Sequence, residues 1–218
     1  MLRSQGLLLL AGSVPVESDP ATVTTDDFDG ADTGWTDSGT GGKDYDYATP
    51  FTGSGSEALR ITATAEASRA RRNFTTATTV YCRFKLYVTS CTRYLASMQT
   101  SGVSDRAWIR VTSNKLNVGC TGGSDNATTT DLPLNTPLWI WFEYEAGATS
   151  YARAGWSTTA TKPTLSAGGA TTCATTGTST DSLPNFSFGD SNAYTADMVF
   201  DDLKVSTVGV FPSASANP

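Results

Sequence analysis

Apolar side chains recur at every second position along much of the chain, which predicts strands, because successive side chains of an extended backbone point to opposite faces. Leu59, Ile61 and Ala63 alternate with Arg60, Thr62 and Thr64. From Val80 to Val88, Cys82, Phe84 and Leu86 point one way while Tyr81, Arg83 and Lys85 point the other. Ala107, Ile109 and Val111 alternate with Trp108 and Arg110, and Leu116 and Val118 continue the pattern. The clearest strand runs from Pro137 to Glu145, with Leu138, Ile140, Phe142 and Tyr144 on one face and Trp139, Trp141, Glu143 and Glu145 on the other. Further strands are expected at Tyr151 to Trp156, Asn185 to Phe188 and Met198 to Ser206. No stretch of ten or more residues carries helical periodicity. The region from 26 to 56, rich in Asp and Gly, reads as a series of turns.

Eight or more short strands separated by Gly, Ser, Asn and Thr turns predict an all-β fold, a two-sheet antiparallel β-sandwich or jelly roll. No internal repeat or linker divides the chain, so it reads as one domain, 26–207, with extended N- and C-terminal arms at 1–25 and 208–218. The apolar run Gly6 to Gly12 is far too short to span a membrane. It is expected to be an uncleaved assembly arm, with a marginal export signal as the alternative.

Composition adds a strong bias towards strands. Of 218 residues, 39% are hydrophobic and only 17% charged, while 36 are Thr, whose branched Cβ suits a pleated surface. The net charge of −6 argues against a nucleic-acid binder. The one basic cluster, Arg69, Arg71 and Arg72, reads as a solvated strand face. With no histidine, the Ser-His-Asp triad, the Cys-His dyad, His-ligated zinc and a His general base are all excluded. Of the cysteines, Cys82 falls in phase with an apolar face as a buried thiol, and Cys120 is expected to pair with Cys173, leaving Cys91 unassigned. Three glycosylation sequons, at Asn73, Asn126 and Asn185, are expected by chance in so Thr-rich a chain and receive no function.

Three motifs in order carry a resemblance: Asp27-Phe28-Asp29-Gly30 followed by Trp35, then Asn135-Thr136-Pro137-Leu138-Trp139 leading into Phe142 to Gly147, then Val199 to Val205. Together they resemble the concanavalin A-like lectin/glucanase superfamily in its laminin-G-like jelly-roll form, over about residues 26 to 207. The resemblance implies two facing antiparallel sheets with the first and last strands adjacent. It also implies a structural Ca²⁺, and Asp201 with Asp27 or Asp29 are its candidate ligands, since Asp201 falls in phase with Val199, Leu203 and Val205 and a carboxylate on an apolar face must be neutralised. The alternative is that Asp201 accepts backbone N–H bonds at the chain's start.

Trp139, Trp141, Glu143 and Glu145 are the candidate glycan-binding residues, with indoles to stack on a sugar and carboxylates to bind its hydroxyls. A glycosidase pair at Glu143 and Glu145 is set against the missing Glu-x-Asp-x-x-Glu signature of the family's glucanases. Polysaccharide lyases of this fold are set aside because their usual His is absent. An excess of Arg over Lys and little Ile suggest a GC-rich genome, and the whole resembles the decoration and minor tail proteins of tailed phages. The expectation is thus a virion structural protein that is not an enzyme, partnered by other virion proteins and copies of itself, and contacting cell-surface carbohydrate. A secreted carbohydrate-binding module or adhesin is the alternative, with a glycoside hydrolase behind it.

Overall fold

The computed structural model describes residues 18–29 and 34–218. Thirteen strands, and no helix among the described residues, follow one another along the chain. The first are β1 (Thr24–Asp26), β2 (Trp35–Gly39), β3 (Gly42–Ala48) and β4 (Glu57–Ala77). Next come β5 (Thr79–Cys91), β6 (Tyr94–Gln99), β7 (Asp105–Thr112), β8 (Lys115–Cys120) and β9 (Asn126–Ala127). The last are β10 (Leu138–Glu145), β11 (Ser150–Ser157), β12 (Thr172–Gly177) and β13 (Leu183–Ser206). Every pairing is antiparallel.

β4 and β13, with 21 and 24 residues, far exceed the usual 3–10 or so of a globular strand. Each bends and serves two layers. In β4 the break falls at Ala65, which adopts φ 58, and in β13 the register slips between Asp190 and Tyr194, just after Gly189 at φ 80. Before its break β13 pairs with β6 on one side and with the second half of β4 on the other, whereas after it the partners are β5 and the first half of β4. The result is sheet I, in the order β3, β4, β13, β5, β10, β11, β12, and sheet II, in the order β2, β4, β13, β6, β7, β8, β9. β1 lies against the end of β13, Thr24 opposite Val205, so the first and last strands are adjacent as the resemblance implies.

One apolar core fills the space between the layers, drawing Leu59, Phe84, Ile140 and Phe200 from sheet I and Met98, Ile109, Val118 and Phe188 from sheet II. The alternation read from the sequence therefore sorts core from outer face in both layers, except at Val199 and Asp201. Three expectations are corrected. The turn-rich stretch 26–56 contains β2 and β3, because their carbonyls and amides complete the edges of β4. The two separate final strands are one continuous bent strand, because Gly189 takes the left-handed conformation there; a Cβ on it would meet the Ser68 carbonyl at 2.2 Å. Finally, Cys120 and Cys173 do not pair; all four cysteines are thiols, and burial pushes Cys91 and Cys173 up to about 12, leaving them protonated.

The flanking segments also pack on the sandwich. Asp19 holds Arg83 through two hydrogen bonds of 2.9 and 2.8 Å, and residues 208–218 lie across the outer face of sheet I. The rest of the expected N-terminal arm, residues 1–17, is outside the described residues.

Candidate functional site

The outer face of sheet II is assembled from side chains that alternate with core residues on five neighbouring strands. Register sets them in rows: Thr36 opposite Arg71, Arg71 opposite Ser187, Ser187 opposite Ser97, and Ser97 opposite Trp108. The adjoining row runs Asn73, Asn185, Gln99, Asp105. All the inward neighbours, Ala70, Phe186, Phe188, Met98 and Ala107, are buried in the core, so this polar set faces away from it.

An outward polar face is ordinarily wet, but this one is walled. Arg69 is only 4% exposed and Gln99 is fully buried. The turn between β6 and β7 forms one wall, pinned by Asn185, whose Nδ2 donates to the Thr100 carbonyl at 2.8 Å. Two cavities open beside it. One, of about 280 Å³, is lined by Thr36, Asp37, Ser38, Arg69, Arg71, Val103 and Ser191, and the other, of about 350 Å³, by Arg71, Asn73, Phe74, Ser101, Pro184 and Asn185. Arg71 lines both and has no ion-pair partner among the described residues.

Asp105 is the hub of the trough. One of its oxygens accepts from Ser97 Oγ at 2.7 Å and Gln99 Nε2 at 2.6 Å, and the other lies 3.5 Å from Arg69 Nη2. Ser97 and Ser187 share a hydrogen bond of 2.9 Å. Even so, the Nε atoms of Arg69 and Arg71, the Gln99 Oε1 and the Trp108 Nε1 are buried without a partner among the described residues. Buried polar groups are normally satisfied, and four of the exceptions among the described residues sit on this face.

Tyr94 and Trp108 stack beside this row, with centroids 5.9 Å apart and planes inclined by 22°. The indole lies flat across β8 because Gly119 sits beneath it; a Cβ there would meet Trp108 Nε1 at 2.3 Å. Burial, reinforced by the charges of Asp105 and Asp190, raises Tyr94 above the ordinary phenol range, so it is a protonated donor at neutral pH. A half-buried cation and a stacked aromatic pair on one face can bind the carboxylate and the apolar face of a sugar.

Trp139, Trp141, Glu143 and Glu145 share the outer face of sheet I, as their alternation predicts, but protein covers that face. Trp139 is 5% exposed and Trp141 fully buried, both packed against Phe211 and Ala214 of the final segment. Glu143 is paired with Lys162 at 2.7 Å and Arg153 at 3.6 Å, and Glu145 with Arg153 at 3.1 Å. With that segment seated, neither indole offers a ring to solvent.

Nor does the structure bring Asp27, Asp29 and Asp201 together; no group of three acidic, Cys or His side chains suited to a metal occurs among the described residues. Asp29 Oδ1 accepts from the Ser56 and Glu57 amides at 2.7 and 2.9 Å. The phase read for Asp201 fails because Asp202 adopts φ 49 and the register slips there, so Asp201 turns outward while Leu203 and Val205 turn into the core. Its Oδ1 accepts from the Asp202 amide at 2.7 Å and its Oδ2 from Thr49 Oγ1 at 3.1 Å, so its backbone donor is its own neighbour rather than an amide at the chain's start. These residues do not fit a Ca²⁺ cage.

Burial, together with the neighbouring Asp202 charge, pushes Asp201 from 3.8 up to about 6 against the pull of the Asp202 amide and the Ser54 and Thr49 hydroxyls. The folded state therefore holds a proton that the unfolded state releases. Its contribution to stability is complete below about pH 4, declines as pH rises through 6 and is absent above. Asp201→Asn is accordingly expected to stabilise the chain by about 2–3 kcal/mol at pH 8 and by nothing at pH 4, measured by urea unfolding at the two pH values.

No family model matches the chain, and no curated protein matches it by sequence. Among solved structures, it is similar to the endo-β-1,4-glucuronan lyase of the fungus Trichoderma reesei, with TM-score 0.57 and 13% identity over 86% of this chain and 96% of that one. It is also similar to the cellulose-induced protein Cip1, with TM-score 0.55 and 15% identity over 85% of this chain and 97% of that one. The architecture is therefore the jelly-roll β-sandwich that these two proteins share. The expectation that the chain is not an enzyme is overturned: a catalyst shares its fold almost end to end. Lack of histidine removes imidazole but leaves the arginine, amide and phenol groups of the trough. Neither likeness concerns a phage particle, and the virion reading draws no support from them.

Proposed function

We propose that the chain is a polysaccharide-active jelly roll that takes an acidic, uronate-bearing glycan in the trough on the outer face of sheet II. The observation that carries this reading is Arg71, a cation with no ion-pair partner among the described residues, at the junction of two cavities. A guanidinium holds a carboxylate in two parallel hydrogen bonds, a geometry a neutral sugar cannot return. The trough's stacked Tyr94 and Trp108 supply the apolar surface for the ring. Glucuronan, the polymer named for the similar lyase, carries such a carboxylate on each unit.

The same groups suit β-elimination. Arg71 would neutralise the carboxylate, which acidifies the proton on the adjacent carbon; solvent water takes that proton, its electron pair forms the C=C bond, the C–O bond to the next sugar breaks, and the departing oxygen takes a proton back from solvent.

Affinity electrophoresis in gels containing glucuronan, or an uncharged β-1,4-glucan in its place, tests the binding, and the ultraviolet absorbance of unsaturated products tests the reaction. Retardation by glucuronan alone is expected, with Arg71→Ala weakening it by about tenfold or more, as for a lost charged hydrogen bond. Equal retardation by both polymers, or an Arg71→Ala chain that still binds fully, would falsify the assignment.

A further inference from the structure

Residues 208–218 lie against sheet I as a ligand lies in a site. The segment forms no strand and joins no ladder. One main-chain bond, Ala214 N–H to the Ala160 carbonyl at 2.7 Å, and two bonds from the Lys162 and Ala160 amides to Ser213 Oγ and Asn217 Oδ1 at 3.0 and 2.9 Å hold it along one side, and the rest of its attachment comes from side chains reaching its main chain. Trp141 Nε1 donates to the Pro212 carbonyl at 3.0 Å, Trp139 Nε1 to that of Ala216 at 2.9 Å, and Arg83 Nη1 to those of Pro212 and Ser213 at 3.3 and 3.4 Å. Thr52 Oγ1 donates to the Pro218 carbonyl at 3.0 Å. Phe211 is the anchor, 1% exposed, with the Arg83 guanidinium 5.3 Å from its ring centre.

We infer that the outer face of sheet I is a peptide-docking groove, selective for an extended, uncharged segment with an aromatic–proline pair, and that residues 208–218 are its occupant in cis. Three observations point the same way. Recognition runs through carbonyl oxygens taken by indole N–H and guanidinium donors, the mode by which aromatic grooves hold proline-containing peptides. The groove's cations are already balanced by carboxylates of the sandwich side, Arg83 by Asp19 and Lys85 by Asp202, so an occupant need bring no charge, and Val208 to Pro218 contains none. The lead-in is lightly held, with Val208 and Val210 exposed, whereas the sandwich core lies wholly on the other side of sheet I. The segment can therefore leave without opening the core. This groove is independent of the trough on sheet II, and the inference stands or falls apart from the proposed function.

Tethering gives the cis segment an effective concentration on the order of millimolar, so the wild-type chain is expected to ignore the same sequence added as a free peptide. The full-length Phe211→Ala chain, its anchor removed, is the probe. Its indole fluorescence is expected to become accessible to iodide quenching while its circular dichroism stays that of the wild type. A synthetic peptide of residues 208–218 should then bind it saturably and restore the protection, and the same peptide carrying Phe211→Ala should bind at least tenfold more weakly. A Phe211→Ala chain that fails to fold would show the segment to be part of the core and overturn the inference. So would a folded variant with indoles still protected, or one to which the peptide does not bind.

Discussion

Phe200→Ala should lower the stability of the folded chain by about 3–5 kcal/mol in urea unfolding, the usual range for emptying a buried aromatic site. Phe200 is fully buried and stacks on Phe188 with ring centres 4.0 Å apart. Phe188 in turn meets Phe84 and Phe186 edge to face at 5.0 and 4.9 Å, and Trp35 at 5.7 Å. Phe188 and Phe200 belong to the two halves of one bent strand, so their contact is where β13 holds sheet II onto sheet I. The cavity cannot collapse without moving both layers, which places the effect towards the upper end. A loss below about 1.5 kcal/mol would show that the layers are not held at this point.

Asp105→Ala should have the second largest effect, and on two readouts. It leaves Arg69, whose side chain is 5% exposed, as a buried charge without its carboxylate, and it strips the acceptor from Ser97 and Gln99. Removing one partner of a buried pair costs about 3–5 kcal/mol. Asp105 itself is partly exposed, so about 2–4 kcal/mol is expected here. Glucuronan retardation should fall with it, because Gln99 and Arg69 lose the atom that aims them. Asp105→Asn keeps an acceptor for Ser97 while losing the charge, so it should recover part of the stability and less of the binding. Equal binding by both variants and the wild type would separate Asp105 from the trough's chemistry.

Much of the fold is legible in the sequence, and particular residues show why. Cys82, Phe84 and Leu86 alternate with Arg83 and Lys85, and a pleated strand leaves such a pattern only one way to bury its apolar side. The glycine-rich stretch before Glu57 hid β2 and β3, because edge strands draw their definition from the neighbour they pair with rather than from their own propensity. The trough was partly visible. Arg-x-Arg-x-Asn at 69–73, Ser-x-Gln at 97–99 and Asn-x-Ser at 185–187 each set polar groups opposite core residues. Of these the sequence reading singles out only the arginines, as a solvated face, since alternation names the outward side without saying what stands over it.

The order of apolar and polar positions by itself determined that this chain is a sandwich of strands, which side chains enter the core, and that no imidazole chemistry occurs in it. Only the tertiary structure decided which outer face is open. The left-handed turn at Asp202 threw Asp201 off the face its spacing implied, residues 208–218 folded back over Trp139 and Trp141, and the turn after Gln99 walled in Arg69 and Arg71. Periodicity is a local property of the backbone, set residue by residue, whereas cover is supplied by segments remote in sequence. Where the chain places its loops is what separates a buried indole from a binding surface.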